Sequence, residues 1–186
     1  MGVMPTLPMS RSLTLEDFEA VRDVEDGHRY ELIDGVLVVT PSPVPVHQRV
    51  VTRVWQLLSQ DAPPGHEAFV APLDIRLAVD TVVQPDILVA AAAAIGARRL
   101  DGVPVLAVEV LSPSTRHFDL SLKHSRYEEA GCPNYWVIDP HEPSLRAWHL
   151  TRDGYHLVAH VVGDEVAELA DPWPLRIIPR ALTNEP

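Results

Sequence analysis

Two acidic residues stand inside otherwise apolar runs of the chain, Asp86 in VVQPDILV and Glu109 in LAVEVLS. A carboxylate among aliphatic neighbours is costly to bury unless it is paired or binds a cation, so each asks for a reason. If the two runs are adjacent strands, the pair can share Mg2+ or Mn2+, because a hard divalent ion takes one or two carboxylates and keeps water or phosphate oxygens in its other positions. The plainer alternative is a pair of carboxylates bonded to Arg side chains or backbone amides near strand ends, and both readings stay open on the residues alone. Downstream, SPSTRHFDLSLKHSRYEEAG places Lys123 four residues after Asp119, on the side of a helix that also carries Leu120 and Tyr127. Such a lysine can serve chemistry at the carboxylates; equally it can snorkel its ammonium into water or pair with Asp119.

The elements that must position these groups follow from periodicity. Residues 13–22, LTLEDFEAVR, predict a short helix capped by Thr14, with Asp17 completing a capping box. RYELIDGVLVVT predicts a β-hairpin turning on Asp34-Gly35, a pair that tolerates positive φ. From Val46 to Gln60 the apolar positions 46, 50, 54 and 58, joined by 51, 55 and 57, make the broad stripe of a buried helix. In 68–79, Leu73, Ile75 and Leu77 alternate with Asp74 and Arg76, as in a strand with one covered face. VVQPDILVA and VPVLAVEVL then read as central strands separated by the Ala-rich stretch 90–97. On the second of these, Ala107, Glu109 and Leu111 share the less bulky face. Pro85 suits an edge or bulge that opens the strand at Asp86. A helix over 119–130 ends at Gly131 and Pro133, and NYWVID, LRAWHL and YHLVAHVV follow as an antiparallel meander. The implied architecture is an α/β (α+β) domain over 13–180 around one central mixed sheet flanked by helices, behind an N-terminal tail of residues 1–12.

The strings YELIDG, VQPDILV, VEVLSPSTRHFDLSLKHSRYEEAG and NYWVID, in this order from about residue 13 to 178, resemble the Uma-type family of restriction-endonuclease-like proteins, within the PD-(D/E)xK nuclease superfamily. A lone PD carries no information; EVLSPST followed by D, K, Y, G and YW is specific. The resemblance implies the restriction-endonuclease-like fold, with Asp86 and Glu109 as metal ligands and Lys123 assisting the attack of water. It further implies Glu31, in YELIDG, as a third ligand or water-holding group, and by superfamily analogy the backbone carbonyl of Val110 as another. A surface carboxylate on the hairpin is the competing reading of Glu31. His47 and Gln84 stand as groups behind the ligands, His47 also fitting a hydrogen-bonded core or cap histidine. Two positions depart from the pattern: Leu111 stands where the lysine of ExK is expected, its place taken by Lys123, and Asn134 stands where the family usually has Glu.

The function this implies is metal-dependent endonucleolytic hydrolysis of phosphodiester bonds in nucleic acid, DNA foremost, with Mg2+ or Mn2+ as cofactor. The rival is a nuclease-fold binding or accessory module that does not cut, dimeric through late-strand aromatics such as Trp148 and Trp173. A more remote rival is a metal hydrolase of a small phosphorylated molecule, for which no Gly-rich phosphate loop speaks. The net charge of −11 favours the non-cutting rival, since phosphate binding draws on Lys and Arg. A single cysteine, Cys132, excludes an internal disulfide and a multi-cysteine zinc site. No signal-peptide pattern or membrane-length apolar run occurs, which makes the cytoplasm the expected location. MGVMPT formally matches an N-myristoylation pattern, with no basic cluster beside it. His156 and His160 lack a third ligand and read as sheet residues. Ser112, Ser114 and Thr115 lack the base of a nucleophilic triad. Asp86→Ala and Lys123→Ala are expected to abolish cleavage with the fold intact.

Overall fold

In the computed structural model, which describes residues 11–22, 24, 27–97, 99–100, 102–112, 116 and 118–184, the capping box at Thr14 forms as expected. The Thr14 side chain accepts from the Asp17 amide, and the Asp17 carboxylate accepts from the Thr14 amide. Helix α1 (Leu15–Val21) buries Phe18 and Val21, with Phe18 packed beside Tyr30, Leu32 and Val82. Most of the proposed tail, the Gly2 motif, Ser114, Thr115 and the side chain of Asp119 lie outside the described residues.

The hairpin of β1 (Arg29–Ile33) and β2 (Val36–Thr40) turns where Asp34 has φ 53° and Gly35 φ 72°, the two positive angles of a tight primed turn. Helix α2 (Pro45–Gln60) opens on a proline, whose missing amide hydrogen is not needed in a first turn, and buries Val50, Val51, Val54 and Leu58. Trp55 leaves the expected stripe: it is 39% exposed, and its indole donates to the Ala68 carbonyl at 2.9 Å, tying α2 to β3 (His66–Val70).

Next along the chain come β4 (Asp74–Ala78), β5 (Thr81–Val83), β6 (Ile87–Ala91), β7 (Arg99–Leu100) and β8 (Leu106–Val110). VVQPDILVA, expected as one strand, is two: Gln84-Pro85-Asp86 separates β5 from β6, and each belongs to a different sheet. Proline supplies no ladder hydrogen bond, so the run breaks there, and the chain passes between layers. The single mixed sheet expected is thus divided into a five-stranded sheet of order β2-β1-β5-β4-β7 and a six-stranded sheet containing β3, β6 and β8. Both are mixed, with β4 and β7 parallel in the first and β8 and β9 (Asn134–Asp139) parallel in the second.

Strands β6 and β8 are antiparallel neighbours, with Ile87 opposite Val108. The meander continues as β9, β10 (Ser144–Thr151) and β11 (Gly154–Val162), completing the order β11-β10-β9-β8-β6-β3. Before it, residues Phe118–Lys123 are wound as a π-helical turn leading into α3 (His124–Glu129), where a continuous α-helix was expected. Gly131, φ 82°, ends α3 with the amides of Gly131 and Cys132 bonded to the carbonyls of Glu128 and Tyr127. A C-terminal antiparallel pair, β12 (Ala167–Leu169) and β13 (Leu175–Ile177), precedes α4 (Pro179–Thr183).

One apolar layer packs α2, α4 and the C-terminal pair on the six-stranded sheet, through Val54, Val108, Trp136 and Leu182 among others. A second joins the two sheets to α3 through Ile33, Ile75, Leu88, Ala107, Tyr127 and Tyr135. Side chains of this size contribute roughly 1.5–3 kcal/mol each on full burial. Trp173 belongs to the first layer at 7% exposure, and Trp148 is half-buried with its ring 5.0 Å from that of His124. Neither is the exposed aromatic expected at a dimer contact. No helix among the described residues is long and apolar enough to cross a membrane.

Candidate active site

Alternation along β1 puts Arg29 and Glu31 on one face, and Glu31 is fully buried. The surface reading of Glu31 therefore fails. The last turn of the π-helical segment carries Lys123 inward, and its ammonium bridges Glu31 Oε1 at 3.0 Å and Glu109 Oε1 at 3.1 Å. Lys123 is 1% exposed, which overturns the snorkelling alternative. A π turn is wider than an α turn, and here it precedes α3 with Lys123 as its last residue. Tyr127, one turn later on α3, reaches Glu109 at 3.5 Å, and burial followed by the Glu109 charge raises its hydroxyl well above the ordinary range.

Asp86 sits just before β6, beside this trio. Its Oδ1 accepts from Arg29 at 2.8 Å, and its Oδ2 accepts from the Val110 amide at 2.8 Å and lies 3.3 Å from His47 Nε2 in the first turn of α2. For Asp86 the plainer expectation, bonding to an arginine and a backbone amide, is what the structure contains. Burial acts to raise its carboxyl, but the His47 bond, the Arg29 charge and the Val110 amide outweigh it and hold Asp86 well below the usual carboxylate range. Arg29 faces the same contest: burial opposes its charge, and Asp86, Glu31 and Glu109 together outweigh burial, so the guanidinium stays cationic.

Gln84 braces the centre from the junction between the sheets. Its backbone amide donates to Glu31 Oε1 at 2.8 Å, and its side-chain nitrogen donates to Asp74 Oδ1 at 2.6 Å. Asp74 is buried and also paired with Arg22, so the expected polar face of its strand is not a solvent face at this position. Asn134, at the position that departs from the family pattern, donates to the Val105 carbonyl at 3.0 Å and bonds the ring of His149 at 3.0 Å.

Of the residues singled out in the sequence, Glu31, Glu109 and Lys123 meet directly, Gln84 joins them through its amide, and Asp86 meets His47 and the Val110 amide. Arg29, Arg22 and Asp74 were missed. The i, i+2 spacing of Arg29 and Glu31 in a strand was the signal for the first; the other two looked like ordinary surface charges.

Glu31, Asp86 and Glu109 supply three negative charges against the two of Arg29 and Lys123, leaving an excess negative charge before His47 is counted. Glu31 Oε2 is buried without a hydrogen-bond partner among the described residues. Carboxylate oxygens with uncompensated charge are the donors a hard divalent ion takes, and the donor types of this set fit such an ion. Among the described residues no three His, Cys, Asp or Glu groups form a ready-made cage; cations of the chain itself tie these carboxylates together.

No protein of curated function matches the chain. Among solved structures, the "putative nuclease belonging to DUF820" from Anabaena variabilis ATCC 29413 superposes with a TM-score of 0.72 at 21% identity, covering 92% of this chain and 97% of its own, which shows a shared fold. The model of the Uma2 family, described as "Putative restriction endonuclease", matches residues 15–180, nearly the whole of the described fold, and the chain belongs to that family.

Proposed function

We propose that the protein is a metal-dependent endonuclease that hydrolyses phosphodiester bonds of nucleic acid, DNA foremost, through a centre in the domain 13–180 built from Asp86, Glu109, Lys123 and Glu31. The observation that carries this reading is a fully buried lysine bridging two buried glutamates beside a buried aspartate, within a chain of a nuclease family. Such a cluster is expensive for stability alone.

In this reading Asp86 and Glu109 would hold Mg2+ or Mn2+, with Glu31 and the Val110 carbonyl as further oxygens. The ion, when bound, lowers the pKa of water and offsets charge developing on the scissile phosphate. Lys123 donates a hydrogen bond to the water or to a non-bridging phosphate oxygen, and Glu31 and Glu109 fix where its ammonium points. His47 holds Asp86 in place, and Gln84 does the same for Glu31. Water oxygen bonds to phosphorus as the bond from phosphorus to the 3′ oxygen breaks; one proton of the water ends on that leaving oxygen, and the other side retains a 5′ phosphate. The free thiol of Cys132 suits a reducing, cytoplasmic setting.

The test is cleavage of a panel of nucleic acids with Mg2+, Mn2+ or chelator. Asp86→Asn, which keeps the shape beside Arg29 and removes the charge, is expected to lower the rate at least about a hundredfold. Full activity in that variant removes Asp86 from the mechanism. The accessory-module reading draws on one feature, the pairing of every carboxylate with a cation of the chain, and tight binding without cleavage in any metal would establish it instead.

A further inference from the structure

A cavity of about 600 Å³ opens beside Asp86. Arg22, Arg29, Thr40, His47, Gln84 and Asp86 line it, and the segments 41–44 and 70–72 contribute to its wall. Four of those residues carry a buried polar atom with no hydrogen-bond partner among the described residues: Arg29 Nε, Thr40 Oγ1, His47 Nδ1 and Gln84 Oε1. Thr40, His47 and Gln84 are each more than nine-tenths buried. An unsatisfied buried polar group costs roughly 1–3 kcal/mol, and these four atoms have almost no accessible surface of their own, so a ligand in the cavity would satisfy them once their side chains turn toward it.

The inventory describes that ligand. Arg29 Nε offers a donor and Gln84 Oε1 an acceptor, while Thr40 and His47 can serve either way. Two arginines line the same cavity, each ion-paired on one side, Arg29 with Asp86 and Arg22 with Asp74. A phosphate supplies acceptors and charge, a nucleobase supplies ring donors and acceptors, and the volume lies within the roughly 300–1,000 Å³ of pockets for ligands of nucleotide size.

Access decides the form of the strand. Asp86 is 4% exposed, Glu109 and Lys123 are 1% exposed and Glu31 is fully buried, so a scissile phosphate must descend into the protein to reach them. In an intact duplex each phosphate is held on the outside of a stacked helix, whereas an unpaired strand can splay its nucleotides into a pocket.

We propose that this cavity is a nucleotide subsite and that nucleic acid enters it as an unpaired strand, so that the centre acts on single strands and overhangs and not within an intact duplex. The nuclease part of this statement rests on the function proposed above; the binding part does not.

The test separates the two. In chelator, fluorescence anisotropy is measured with labelled oligothymidylate of about twelve nucleotides and with a blunt hairpin of matched length, the single strand being expected to bind at least about tenfold more tightly. Ser42→Trp, an exposed change on the cavity wall, is expected to weaken strand binding about tenfold without lowering Tm, and Gln48→Glu on the surface of α2 gives the same result by charge. Equal binding of the two forms, binding of neither, or strand binding untouched by both variants overturns the subsite. Cleavage with Mn2+ that treats hairpin and single strand alike overturns the strand selectivity and leaves the nuclease; selective strand binding without cleavage in any metal keeps the subsite and removes the nuclease.

Discussion

Lys123 shows how far one side chain can commit a fold. Removing it strands Glu31 and Glu109 in the interior without their shared cation, and breaking a buried pair in this way costs about 3–5 kcal/mol. Lys123→Ala is therefore expected to lower the urea midpoint sharply, contrary to the expectation of an intact fold, and to recover more Tm on adding Mn2+ than the natural protein gains. A midpoint within experimental error of the natural one would show that water reaches the trio. Cys132 supplies a contrasting prediction. Its thiol is buried against the Pro104 and Asn134 carbonyls, and burial pushes it up to about 12, so iodoacetamide at about pH 8 is expected to leave it unmodified in the native protein and to label it rapidly in denaturant. Asp86, Glu109 and Lys123 could be singled out in the sequence because charge inside an apolar pattern is an anomaly with a physical cost, and Glu31 through the family resemblance alone. Their connections were not legible: that Lys123 would choose Glu31 over solvent depends on a hairpin some ninety residues upstream, which no local pattern encodes.

At the scale of elements, two glycines offer a comparison. Gly35 has φ 72°, and a Cβ there would lie 2.7 Å from Ser12 Cβ and 3.1 Å from the Leu13 carbonyl, whereas Gly131 has φ 82° and open space around it. Gly131→Ala carries the backbone penalty alone, about 1 kcal/mol, and Gly35→Ala carries that plus a steric one. Denaturation midpoints should rank accordingly, and an equal loss at both would mean that the segment before α1 yields without cost. Helices α1, α2 and α3, the hairpin and the meander were readable because caps, turn residues and long periodic runs act locally, whereas α4 was not anticipated. Strands β3, β12 and β13 are five residues or fewer and take their conformation from partners, and the π-helical turn differs from an α turn by only one inserted residue, so the chain text marks none of them.

For the molecule as a whole, the balance of charge shapes its response to acid. Asp139, at the end of β9, bonds Arg116 and accepts from the amides of His141 at 2.9 Å and Glu142 at 3.1 Å. Burial works to raise its carboxyl, but the Arg116 bond and the two amides prevail, and the native value lies below the ordinary one. A carboxyl depressed in the folded state adds stability that is complete above its unfolded pKa, about 3.9, and is lost as pH falls through the native value. Asp139→Asn is thus expected to lower stability near neutrality and to flatten the decline below about pH 4, read from urea midpoints across pH. An acid limb of unchanged slope would assign the decline to other carboxylates. The fold class was legible from the sequence; the division into two sheets was not, because the proline that causes it also fits a strand edge.

That division has a consequence for how the protein can vary. Gln84, Pro85 and Asp86 form a three-residue hinge-pin between layers, and its two ends are indexed to different partners: the Gln84 amide to Glu31 in one sheet, the Asp86 carboxylate to the Val110 amide in the other. Adding or deleting a single residue there would invert the facing of a strand on one side or the other, turning aliphatic groups outward and aiming the aspartate away from its neighbours. Length at this point is fixed more strictly than composition, and a chimera that exchanged one layer for a relative's would have to take its crossover whole.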